Sequence, residues 1–163
     1  MARALKAVPT FGPLTLLCRH VDCDGGRRRR ASYADFLPNP GDDHLSVNSL
    51  EVEAKASVAE YYAAAFQRDA RPVGICTHSV REYNEVAKKA QCPIRSVGTP
   101  TTWEFDDTNG KSAAAYRHRP VSWNANYPFE SRSHCGVEFV RALSDLKLRF
   151  LARRLAKKKI EHL

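Results

Sequence analysis

An α+β domain, built on a small mixed or antiparallel sheet with two to three flanking helices and a basic C-terminal helix, is what the sequence predicts. Three observations predict it. Three strand-length patches with compact polar chemistry, Leu16-Leu17-Cys18-Arg19-His20-Val21, His44-Leu45-Ser46-Val47 and His134-Cys135-Gly136-Val137-Glu138-Phe139, lie far apart in the chain. A chain of 163 residues has one core, so strands this apolar must meet on it. Two stretches with helical periodicity follow capping signals, and a third, basic one closes the chain.

Taken in order, residues 1–11 read as a loose lead-in. Leu14 to Val21 is an apolar run of strand length, and Asp22 to Arg30 is a turn. Phe36-Leu37-Pro38-Asn39-Pro40-Gly41 reads as a rigid loop. Asn48 with Glu51 resembles a capping box, and Val52, Ala56, Ala59, Ala63 and Phe66 recur at helical spacing, which predicts a helix over 49–67. Arg71-Pro72 stops it, and Val73 to Thr77 reads as a buried strand. Ser79-Val80-Arg81-Glu82 is an S-x-x-E box opening a second helix with Tyr83, Val86, Ala87 and Ala90 inward. Pro93 closes that helix and Ile94 to Val97 reads as a short strand. Asn109-Gly110 marks a hairpin between 101–105 and 112–118. The aromatic stretch 120–133 reads as an ordered functional loop. Val137 to Val140 is a strand, and residues 141–163 a basic helix with Leu143, Leu146, Phe150 and Leu155 inward.

Charge and cysteines narrow the class. The net charge is +8, concentrated in the Arg27–Arg30 block and in the C-terminal stretch. Basic blocks suit phosphate-rich partners, because each neutralised phosphate releases counterions. They also suit a solvated helix end that complements the macrodipole. The expected partner is a nucleic acid or an acidic protein; the oligomeric state is left open. Cys18, Cys23, Cys76, Cys92 and Cys135 form an odd set with no C-x-x-C pair, which reads as reduced thiols and a cytoplasmic location. No run approaches the roughly 18 apolar residues of a membrane span.

Several residues could carry chemistry. Arg19 ends an apolar strand, where a guanidinium is costly unless paired or turned to a cleft that binds a phosphate or carboxylate. His20 lies on the other face of that strand. Ser46 precedes a predicted helix start, a position suited to anions, and Glu51 or Glu53 could supply a carboxylate. His78 stands in a similar place before the second helix. His134 adjoins Gly136, which allows close approach of a ligand, and imidazole is the default acid/base group. Trp123 and Tyr127 in the aromatic loop could stack on a base. Arg153, Arg154, Lys157, Lys158 and Lys159 are the candidate nucleic-acid contacts. Cys18-x-His20-x-x-Cys23 offers three zinc ligands but no fourth, so no metal is expected.

The order Leu17-Cys18-Arg19, Ser32 to Pro38, Leu45-Ser46-Val47 and His134 to Phe139 resembles a scattered family of small uncharacterised bacterial proteins, from which no activity transfers. More distantly, the order of Arg19, Ser46 and Glu51 or Glu53 resembles RES-type toxins of the ADP-ribosyltransferase class. That resemblance implies an effector or toxin that consumes NAD as a substrate, with no tightly bound cofactor. Arg19 would hold the NAD phosphates, Ser46 would orient the nicotinamide ribose, and the glutamate would polarise it. The alternatives are a basic nucleic-acid-binding protein, with Arg19, His20 and His134 as the acid/base and phosphate-holding groups of a metal-independent ribonuclease, or a non-enzymatic interaction subunit.

Overall fold

A computed structural model of the chain describes residues 11–23, 30–42, 44–51, 54–56, 58–59, 73–98, 133–139 and 144–162. Strands β1 (Leu16–Asp22), β2 (His44–Ser49), β3 (Val73–Ser79), β4 (Ile94–Gly98), β5 (His134–Phe139) and β6 (Glu161–His162) form one sheet in the order β4-β5-β2-β1-β3-β6, with every pairing antiparallel. Among the described residues, helices α1 (Val80–Ala90) and α2 (Asp145–Leu155), a 3₁₀ turn at Tyr33–Phe36 and helical backbone at 55–56 and 58–59 accompany the sheet in an α+β architecture. The three polar patches of the sequence are thus the three neighbouring strands β1, β2 and β5.

Register decides which side chains share a face, because successive strand residues alternate. Leu17 lies opposite His78 and Ser49, and Val47 opposite Cys135. One face, bearing Leu17, Val21, Leu45, Val47, Cys76 and Val137, packs against Tyr83 and Ala87 of α1, Leu151 and Leu155 of α2, and Phe36 of the 3₁₀ turn. On the other face Cys18 and Ile75 meet Val58 and Ala59.

Helix α1 starts where the sequence predicts. The Ser79 hydroxyl accepts from the Glu82 amide and the Ser79 amide donates to the Glu82 carboxylate. The next two amides, of Val80 and Arg81, donate to the carbonyls of Thr15 and Pro13, so the helix entrance is stitched to the segment before β1. The 3₁₀ turn has its own box, Ser32 with Asp35, and leads into the loop expected over Phe36–Gly41, which holds no helix or strand beyond Phe36.

Three expectations need correction. The helix expected from 49 does not begin there: β2 runs through Ser49, residues 50–51 turn, and helical backbone is found at Lys55, Ala56, Val58 and Ala59. Asn48 is a strand residue whose amide donates to the Ser133 hydroxyl, so it caps nothing. The C-terminal helix ends at Leu155 and does not continue through 163, because Ile160 turns in to bury itself on the sheet and Glu161–His162 pair with β3. Within α2 the buried stripe is Leu148, Leu151, Ala152 and Leu155, at helical spacing, while Leu146 and Phe150 face outward at 79% and 43% exposure. The hairpin around Asn109-Gly110, the loop 120–132, Leu143 and the Arg27–Arg29 part of the basic block lie outside the described residues.

Gly74 in β3 is where the tail meets the sheet. A Cβ there would run into Cys23 Sγ and stand 2.5 Å from Ile160 Cγ2. Gly74→Ala is therefore expected to cost about 1–3 kcal/mol through overpacking. Thermal unfolding checks this, with a fall of roughly 2–4 °C per kcal/mol; an unchanged midpoint would mean that Cys23 and Ile160 step aside freely.

Candidate functional site

On the side of the sheet away from α1 and α2, the side where Val58 and Ala59 pack, strands β1, β2 and β5 carry a row of polar groups. His44 lies opposite Glu138, Ser46 opposite Gly136, and Asn48 opposite both His134 and Cys18. His20 points to the same side as Cys18. His44, Asn48, Ser133, His134 and Glu138 are all buried. Arg95 on β4 reaches to 4.0 Å from the Glu138 carboxylate, and the Asn48 amide holds the Ser133 hydroxyl at 2.8 Å. Sequence reasoning found Ser46, His134 and His20 here. It missed His44 and Glu138, whose signal was the alternation of His44-Leu45-Ser46-Val47 opposite a strand of the same length.

The row sets one acid/base pair side by side, His44 opposite Glu138, but keeps it apart from His134. The His44/Glu138 pair and the Asn48/His134 pair are four residues apart along the ladder, about 13 Å at roughly 3.3 Å per residue. Concerted proton transfer needs both groups within hydrogen-bond reach of the reacting atoms. Among the described residues no three His, Cys, Asp or Glu side chains are grouped to hold a metal. Cys18 and His20 face one side of β1 while Cys23 packs on the other, so the C-x-H-x-x-C spacing closes no site. The thiols are buried; burial, aided by nearby Asp35, Cys23 and Glu161, pushes Cys76 up to about 11, and Cys135 is raised well above the usual thiol range. Neither is an activated nucleophile.

Arg19 lies on the helix-bearing face, opposite Cys76. Its Nε donates to the Asp35 carbonyl at 2.8 Å and its Nη1 to the Ser46 carbonyl at 2.6 Å. It therefore meets the backbone of Ser46, while the Ser46 side chain leaves the sheet on the opposite side. The guanidinium and the hydroxyl do not share a ligand. For the same reason Arg19 is separated by the sheet from His20 and His134. Glu51, exposed in the turn after β2, accepts from the Thr15 hydroxyl at 2.8 Å. Glu53, Trp123 and Tyr127 lie outside the described residues.

His78 is a core residue. Its Nε2–H donates to the Leu155 carbonyl at 3.0 Å, and its ring stands edge-on to Phe36 and tilted against Tyr83. Burial, with help from the Lys158 ammonium, lowers it to about 4. Burial likewise raises the Tyr83 hydroxyl far above its ordinary value. His78 pins the end of α2 to the sheet in place of facing a ligand.

The outer face of α2 is different. Ser144 caps the helix by accepting from the Lys147 amide, Asp145 sits in the first turn, and Arg153 and Arg154 sit in the last, matching the macrodipole. Leu146 and Phe150, one turn apart, form an exposed apolar stripe. Arg149 and Arg153 flank it on one side, Lys147 and Arg154 on the other. The Arg154 guanidinium lies 4.6 Å over the Phe150 ring, and that of Arg153 lies 5.5 Å over the ring of Tyr33, itself 40% exposed. Among the described residues none of Lys147, Arg149, Arg153 and Arg154 is paired with a carboxylate, whereas Lys55, Arg95 and Lys158 each are. Of the basic tail, Lys157 and Lys159 are exposed; Lys158 is engaged with the Glu82 carboxylate and the Thr77 carbonyl.

No family model, no curated protein and no solved structure matches the chain.

Proposed function

We propose that this protein is a nucleic-acid-binding module whose contact surface is the outer face of α2. The observation that carries the reading is a set of four cationic side chains, Lys147, Arg149, Arg153 and Arg154, that surround exposed apolar and aromatic groups and have no acidic partner among the described residues. Phosphates would replace the missing counter-charges, and the released counterions would drive association. A purely solvated helix end needs the charge but has no use for Leu146 and Phe150 in water. The transferase reading draws no comparable support, since Arg19 is occupied by two carbonyls.

The test is fluorescence anisotropy with labelled RNA over a salt series. The triple change Arg149→Gln, Arg153→Gln, Arg154→Gln is expected to weaken binding and to lower the slope of log affinity against log salt by about two units, at roughly 0.7 per lost phosphate contact. Lys158→Gln is expected to leave that slope unchanged, because Lys158 is spent on Glu82 and Thr77. Absence of binding at low salt, or an unaltered slope in the triple variant, would sink the proposal.

A further inference from the structure

Resting on that reading, we infer that the α2 surface recognises single-stranded nucleic acid, with an unpaired base stacking on Phe150 and a second contact at Tyr33. Duplex binding asks only for phosphate contacts or for side chains that reach into a groove. A duplex offers no free base faces along its length, so exposed aromatic rings gain nothing by lying against it. A single strand pairs a backbone of phosphates with bases whose faces seek a partner, and proteins that bind it interleave cations with aromatic rings. Here the order across the surface is Tyr33, Arg153, Phe150, Arg154. Arg153 lies over Tyr33, Arg154 lies over Phe150, and Phe150 is one helical turn from both arginines. Each arginine thus lies against a ring and not a carboxylate; the Arg154 Nε is buried, so on that half-buried side chain a phosphate contact falls to the terminal nitrogens.

The rings are exposed to matching degrees, 43% for Phe150 and 40% for Tyr33, although both are large enough to be buried readily. They sit on different elements, α2 and the 3₁₀ turn, joined through Arg153. The same arrangement gives little discrimination among bases, because every base has a π-face. A mixed-sequence or uridine-rich strand is therefore an adequate ligand.

The experiment compares three labelled probes on the full chain: a short oligouridine, an RNA duplex of equal length, and poly-glutamate. The wild type is expected to bind the oligouridine at least tenfold more tightly than either of the others. Phe150→Leu keeps an apolar side chain on the exposed surface and removes the π-face. It is expected to weaken oligouridine binding about tenfold, in line with roughly 1–3 kcal/mol per stacked base, with the salt slope and the duplex affinity unchanged. Tyr33→Leu should act in the same direction. Equal affinity for strand and duplex, with Phe150→Leu altering neither, overturns this inference and leaves the nucleic-acid reading standing. Poly-glutamate binding without either RNA overturns both, and assigns the surface to an acidic protein.

Discussion

Arg19→Met is expected to destabilise the protein by about 3 kcal/mol, because two charge-assisted hydrogen bonds are lost at roughly 1.5–3 kcal/mol each from a half-buried position. Much of the loss comes from the partners. Beyond Cys18 and Asn48 the ladder between β1 and β2 is not continued, and the guanidinium supplies the donor for the Ser46 carbonyl there. A second donor ties the 3₁₀ turn to the sheet through the Asp35 carbonyl. Arg19→Lys is not expected to restore stability, since an ammonium cannot serve two carbonyls in the fixed fork geometry of a guanidinium. Ser46→Ala should stay within about 0.5 kcal/mol, because Ser46 contributes its carbonyl and not its hydroxyl to the contact. Chemical denaturation of the three variants checks this. If Arg19→Met instead keeps wild-type stability and loses affinity for NAD, the residue belongs to a ligand site and the structural account is wrong.

The second large effect is acid sensitivity. The His78 imidazole, lowered to about 4 by burial and by Lys158, stays neutral in the folded chain, whereas in the unfolded chain it takes up a proton near its ordinary 6.5. Below 6.5 the unfolded state therefore binds more protons. Stability is fully present above pH 6.5 and declines as pH falls towards 4, by about 3 kcal/mol in all. Glu82 adds its share lower down: burial raises it, but the Lys158 ammonium and the Ser79 amide outweigh burial and hold it below the usual carboxylate range. His78→Gln can still donate to the Leu155 carbonyl but cannot be protonated. It is expected to flatten the stability profile between pH 6.5 and 4 while leaving the loss at lower pH in place. A wild-type profile that is already flat across that window would remove His78 from the account.

These expectations show what the sequence could and could not convey. The Ser79–Glu82 box was legible because capping is local: four consecutive residues contain both reciprocal bonds. Parity along one strand was legible too, which is why Arg19 and His20 were expected on opposite faces. The relation between strands was not, because the register that puts Asn48 opposite Cys18 is set by distant packing. Ser46 and Arg19 therefore looked like partners until the register separated their side chains. In α2 the failure has another cause. Leu146 and Phe150 are spaced one turn apart, as are Leu148, Leu151 and Leu155, so the helix carries two apolar stripes and periodicity alone does not say which one is buried. The larger stripe won, and the smaller one became the surface on which the functional proposal rests. The Ser32–Asp35 box went unread because it closes with aspartate over a single 3₁₀ turn.

The short ladder between β1 and β2 also governs how the molecule can loosen. Seven consecutive pairs join β1 to β3 and five join β2 to β5, but only Leu17 with Ser49 and Cys18 with Asn48 are paired between β1 and β2, extended by the Leu50 amide to the Leu16 carbonyl. The pairing divides the sheet into two three-stranded ladders, β4-β5-β2 and β1-β3-β6, that share a narrow seam, and amides at that seam are expected to exchange sooner than those within either ladder. Helix α1 belongs to the second unit, since its first amides are held by Pro13 and Thr15 just ahead of β1. Few backbone bonds cross the seam, so the two units are held together chiefly by the core that β1, β3, β2 and β5 bury in common and by the Arg19 guanidinium on the Ser46 carbonyl.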